Sequence, residues 1–100
     1  MNTQLLVAVF SEEIRDDLID ALIGLDDISG FNMESIDGYS REHSRYDLRE
    51  QVAGYRRLCR LEVLHDEEQQ QALLATLGQA CAAGHVRYWI MPLTAAGQLP

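Results

Sequence analysis

The sequence predicts an α+β fold, a four-stranded antiparallel sheet with two helices on one face, and three observations lead there. Apolar segments alternate between a strand-like and a helix-like period in the order strand, helix, strand, strand, helix, strand. Both helical segments begin at a side chain suited to capping, Ser11 and Asp66. The first strand segment is apolar at every position from Leu5 to Phe10, as expected of a central strand covered on both sides.

Gln4 to Phe10 is the first strand. Ser11 caps the helix that follows, and Glu12, Glu13, Asp16 and Asp17 crowd the positive end of its dipole. Ile14, Leu18, Ala21, Leu22 and Leu25 recur at helical spacing, and the helix should stop between Leu25 and Asp27. Gly30 to Ile36 reads as the second strand, with Phe31 and Met33 on one face, Asn32 and Glu34 on the other, and a turn at Asp37-Gly38.

A long polar segment from Tyr39 to Gly54 comes next, in which 47–52 has the makings of a helical turn. A connection of this length inside a small domain is usually functional. Tyr55 to Leu64 is the third strand, with Cys59, Leu61 and Val63 on one face and Arg56, Leu58, Arg60 and Glu62 on the other. Asp66 caps the second helix with Gln69 as its capping-box partner, Leu73, Leu77, Ala80 and Cys81 form the apolar stripe, and Gly84 fits the stop. Val86 to Met91 is the fourth strand, closed by Pro92.

The order is βαββαβ, the split βαβ or ferredoxin-like sandwich. Right-handed crossovers place both helices on one face, with the first and third strands central. Residues 1–93 form one domain with a long 39–54 loop, and 94–100 is a loosely ordered tail.

The formal charge is −8 and there is no lysine. Ser11 to Asp37 holds nine acids against one arginine, a net of −8, whereas Arg41 to Arg60 holds six arginines against three acids, a net of +3. So acidic a chain is not expected to bind nucleic acid, whose affinity comes mainly from phosphate neutralisation. No stretch approaches the roughly 20 apolar residues that span a bilayer, so membrane insertion is not expected. The apolar Leu5–Phe10 run has no basic leader, which points to the cytoplasm. Cys59 and Cys81 read as reduced, buried small hydrophobes.

Two helices cover one sheet face, yet apolar residues are supplied for both. If Val86, Tyr88 and Ile90 point toward the helices, Trp89 and Met91 point away, joined by Leu58 and one face of the first strand. A symmetric partner would bury such a patch, so a homo-oligomer is expected, with Leu58, Arg60, Trp89 and Met91 at its interface and Glu62 available to whichever of Arg56, Arg57, Arg60 and Arg87 is buried there.

Ser29-Gly30-Phe31, a polar loop bearing His43, Glu50-Gln51-Val52-Ala53-Gly54, an arginine-rich third strand and Tyr88-Trp89-Ile90-Met91-Pro92 with Gly97 together resemble a bacterial domain-of-unknown-function family of PII-like proteins, over nearly the whole chain. The resemblance extends in fold to the PII signalling proteins and the CutA divalent-ion tolerance proteins. It implies a trimer whose sheets line the centre, an association with heavy-metal efflux or resistance, and a 39–54 loop that engages partners. PII proteins hold nucleotide phosphates partly through a glycine- and lysine-rich loop before the last strand. Here that connection is Ala82-Ala83-Gly84 with no lysine, so nucleotide binding of that type is not expected.

Arg41, Arg45 and Arg49 recur every four residues and would line one face of a helical turn, suited to a small anionic ligand or an acidic protein partner. With His43 they are the candidate ligand- or partner-binding residues; the alternative is that they balance the acidic first helix of a neighbouring subunit. His43 with Glu42 and Asp47 is the candidate metal set, whereas His65 and His85 form no ligand spacing. No catalytic motif occurs, so no enzyme and no cofactor are expected. The expected function is a regulatory or sensory module, with direct binding of a divalent heavy metal as the alternative.

Overall fold

A computed structural model of the chain describes residues 2–39, 56–81 and 86–100. β1 (Thr3–Ser11) leads through a 3-10 turn (Glu12–Ile14) into α1 (Arg15–Ile23). β2 (Asn32–Gly38), β3 (Arg56–Asp66), a second 3-10 turn (Glu67–Gln69), α2 (Gln70–Ala80) and β4 (Arg87–Pro92) follow. The strand order is β2-β3-β1-β4 with every pair antiparallel, so the fold is the expected α+β sandwich with β1 and β3 central.

Alternation along the strands decides which face each side chain meets. Leu6, Ala8 and Phe10 of β1 and Cys59, Leu61 and Val63 of β3 join Leu18 and Leu22 of α1 and Leu73, Leu77 and Cys81 of α2 in one buried cluster. Both helices therefore lie on the same side of the sheet, and α1 packs against α2. Phe31, Met33, Val86 and Ile90 extend the cluster toward the two edge strands.

The helix starts follow the capping chemistry. Ser11 Oγ accepts from the Glu13 amide at 3.3 Å, and the Asp66 amide donates to Gln69 Oε1 at 2.9 Å. The Gln69 side-chain amide also donates to the Asp27 carbonyl, tying the start of the second helical segment to the chain leaving α1.

Several boundaries differ from the sequence reading; α1, expected to stop between Leu25 and Asp27, ends at Ile23, with Gly24 as its C-cap. β2 runs two residues later, and Asp37-Gly38, expected as a turn, is its last pair, opposite Arg57 and Arg56. Asp37 sits 3.9 Å from the Arg57 guanidinium, a cross-strand pair that keeps the backbone extended. β3 continues to Asp66 because β1 begins at Thr3 and supplies its partner. Pro92 ends β4 as a member of the ladder, which an edge strand tolerates. Tyr88, expected under the helices, is 53% exposed, because β4 is an edge strand that they do not reach across.

Candidate functional site

The sheet face turned away from the helices is built in rows that the pairing register sets. From the 56 end of β3 downward these are Ile36–Leu58–Ser11, Glu34–Arg60–Val9–Arg87, Asn32–Glu62–Val7–Trp89 and Leu64–Leu5–Met91. Leu58, Arg60, Trp89 and Met91, read from the sequence as one surface, do share this face.

Its exposure is uneven. Val7 and Val9 are already buried in the single chain, flanked in the register by long side chains of β3 and β4 whose stems cover apolar ground. The patch is thus narrower than alternation alone implies. What remains open is Leu64 at 48%, Trp89 at 42% and Met91 at 38%, beside half-buried Leu5, with half-buried Leu58 three rows away at the 56 end of β3. Leu58 leans across β2 in the space a side chain at position 38 would occupy: a Cβ there would come within 2.3 Å of its Cδ1.

Charges cross this apolar ground in one direction. Arg60 Nη1 lies 3.4 Å from Glu34 Oε1 and 3.2 Å from Glu62 Oε2, so one guanidinium serves two carboxylates. Each pair is open to water, which limits it to about 0–1 kcal/mol in the single chain. Arg87, in the same row on the far edge, has no carboxylate within 4 Å among the described residues.

The other end of the sheet holds a shallow cleft of about 530 Å³ between the start of β1 and the segment after β4, lined by Gln4, Glu67, Pro92 and Thr94 among others. Its carboxylate is engaged: Asn2 Nδ2 donates to Glu67 Oε2 at 3.0 Å. On the helix side of this end Gln4 faces His65 across the ladder. His65 is 3% exposed, with Nδ1 3.3 Å from the Val63 carbonyl, while its Nε2 and Gln4 Oε1 are buried without partners. The burial of His65 was not read from the sequence. Its period-two position after Leu61 and Val63 was the available signal.

Cys59 and Cys81 are free and buried, as expected. Burial pushes both thiols above their ordinary value; for Cys59 the nearby Glu12 adds to this and Arg15 opposes it. Thiols held protonated in an apolar core are poor nucleophiles.

The candidate ligand residues Arg41, His43, Arg45 and Arg49, and the metal set of His43, Glu42 and Asp47, lie outside the described residues. Among the described residues no group of three or more His, Cys, Asp or Glu side chains is placed to hold a metal ion. No helix of the described residues is long and apolar enough to cross a membrane.

No curated protein matches the chain significantly. Among solved structures, the crystal structure of a DUF3240 family protein from Shewanella baltica OS155 superposes with a TM-score of 0.83 at 40% sequence identity, covering 100% of this chain and 99% of that one. The family model described as "Protein of unknown function (DUF3240)" matches residues 1–100. With a family match along its whole length and a close structural counterpart, the chain belongs to the DUF3240 family.

Proposed function

We propose that this protein is a regulatory or sensory module of the PII-like kind, working in the cytoplasm as a homo-oligomer. Copies pack through their open sheet faces, and three is the number the sequence resemblance implies. A small anionic ligand at the clefts between subunits, or a protein partner on the 39–54 loop, supplies the signal. The observation that carries this reading is the apolar ground formed by Leu5, Leu64, Trp89 and Met91 on the sheet face opposite α1 and α2. Contiguous patches of this kind on folded chains mark interaction surfaces. Arg60 with its two carboxylates supports the same reading, because an ion pair worth little in water gains orientation and partner selectivity once a subunit closes over it.

A thermal-shift screen of adenine nucleotides, bicarbonate and divalent metals, read beside light scattering, tests the proposal, since a ligand of the folded state raises apparent stability by mass action. A multi-subunit particle whose melting point rises with a nucleotide or bicarbonate, and no longer does so in R41A/R45A/R49A, is the expected result. A rise with Zn²⁺, Cu²⁺ or Co²⁺ that disappears in His43→Ala would replace the regulatory reading with a metal-binding one.

A further inference from the structure

We propose that the cleft at the start of β1 binds a primary ammonium group carried on a short apolar stem, with Gln4 Oε1, His65 Nε2 and the Glu67 carboxylate as its acceptors. The inference goes beyond the regulatory reading and needs neither self-association nor an anionic ligand. The cleft lies at the end of the sheet where Thr3 pairs with Asp66, opposite the Gly38–Arg56 end between which the 39–54 segment runs.

Backbone hydrogen bonds fix the walls. The Glu67 amide donates to the Asn2 carbonyl at 2.9 Å, and the Leu93 amide donates to the Thr3 carbonyl at 3.3 Å. The second 3-10 turn and the segment after β4 are thereby tied to the first residues of β1. The space between them, about 530 Å³, is of the size that small-molecule sites use. Pro92, Leu93, Ala95 and Ala96 supply apolar ground for an aliphatic stem. Glu67 is the one charged side chain among the described lining residues, and Asn2 Nδ2 holds its carboxylate in place at 3.0 Å.

Two acceptors stand unused beside this carboxylate. Gln4 lines the cleft and pairs directly with His65 across the ladder, on the helix face of the sheet. Side chains of such partners start about 5 Å apart. Gln4 Oε1 is buried without a partner. His65 is almost wholly buried, and its Nδ1 lies 3.3 Å from the Val63 carbonyl, an oxygen that can only accept. In the neutral ring Nδ1 therefore carries the proton, and the unpartnered Nε2 is a bare acceptor. Buried acceptors without donors cost free energy that a donor recovers. An ammonium has three N–H groups, no acceptor and a positive charge, so it answers all three groups at once. A carboxylate or phosphate would set oxygens against oxygens. His65 lies behind Gln4, so the head group reaches Nε2 as the flexible Gln4 side chain turns.

The test is calorimetric titration of the full chain with n-butylamine in mildly alkaline buffer, which should show saturable binding. Tetramethylammonium chloride has the charge without an N–H, and n-butanol has the stem without the charge; each should bind about tenfold or more weakly. Gln4→Leu, His65→Leu and Glu67→Gln should each weaken n-butylamine about tenfold with circular dichroism unchanged. Glu67 is exposed, so its variant reports even where Gln4→Leu disturbs the strand. In the parent, the His65 Nε2 resonance should move in nitrogen NMR as n-butylamine is added. Nα-acetyl-lysine methylamide separates the sources of the ammonium: tighter binding than n-butylamine assigns it to a lysine of a partner protein, weaker binding to a free small amine. No saturable binding of either amine, tetramethylammonium binding as well as n-butylamine, or variants that bind as the parent does would overturn the proposal.

Discussion

Gly38 and Leu58 show how one missing side chain shapes a surface. The Leu58 isobutyl group lies where a Cβ at 38 would stand, 2.3 Å from it, so Gly38→Ala forces Leu58 aside and should cost about 1 kcal/mol in a denaturant titration. In a Leu58→Ala background the same substitution should cost far less, the signature of a direct clash. His65 makes the opposite case. Its Nε2 is buried without a partner, so His65→Leu removes an unsatisfied group and should leave stability within about 1 kcal/mol of the parent or raise it, while Leu61→Ala two positions away should cost about 2–5 kcal/mol. The cysteines supply the pH dependence. Their folded-state values lie above the ordinary one near 9.0, so the folded chain holds the proton that the unfolded chain gives up. Stability from this source is complete below pH 9 and falls as pH rises through 9 toward the raised values; C59A/C81A should flatten that alkaline slope. Neither thiol should react with an aromatic disulfide reagent at pH 8 until the chain is unfolded.

At the scale of elements, Gln69 carries two roles with one amide, accepting from the Asp66 backbone and donating to the Asp27 carbonyl. Gln69→Ala should therefore cost about 1–2 kcal/mol by thermal unfolding, more than the loss of a single cap bond. The two helices were legible because their signals are local: Ser11 and Asp66 at the starts, Leu18 and Leu22 or Leu73 and Leu77 one turn apart. β1 was legible for a different reason, an apolar run too short for a helix of its own. β2 was misplaced by two residues because Asp37-Gly38 carries strong turn chemistry, and its extension comes from pairing with Arg57 and Arg56 of β3, distant in sequence. Tyr88 was assigned correctly to the helix side by alternation, but exposure at an edge depends on how far the helices reach, which no local pattern encodes.

For the whole molecule, the decisive feature is a sheet whose two described helices share one face while apolar side chains lie on both. The sequence alone reached that conclusion and grouped Leu58, Arg60, Trp89 and Met91 correctly. It did not reveal that Val7 and Val9 are sheltered within the single chain, nor that Glu34 and Arg87 end the same row, because both follow from register between strands far apart in sequence. The most direct measurement is light scattering at micromolar concentration with the emission of Trp89, the chain's one tryptophan, recorded on the same sample. A particle of several subunits with blue-shifted emission, reduced by Trp89→Arg to a folded single subunit with unchanged circular dichroism, is the predicted result. A well-behaved lone subunit, or assembly that Trp89→Arg leaves intact, would contradict the account.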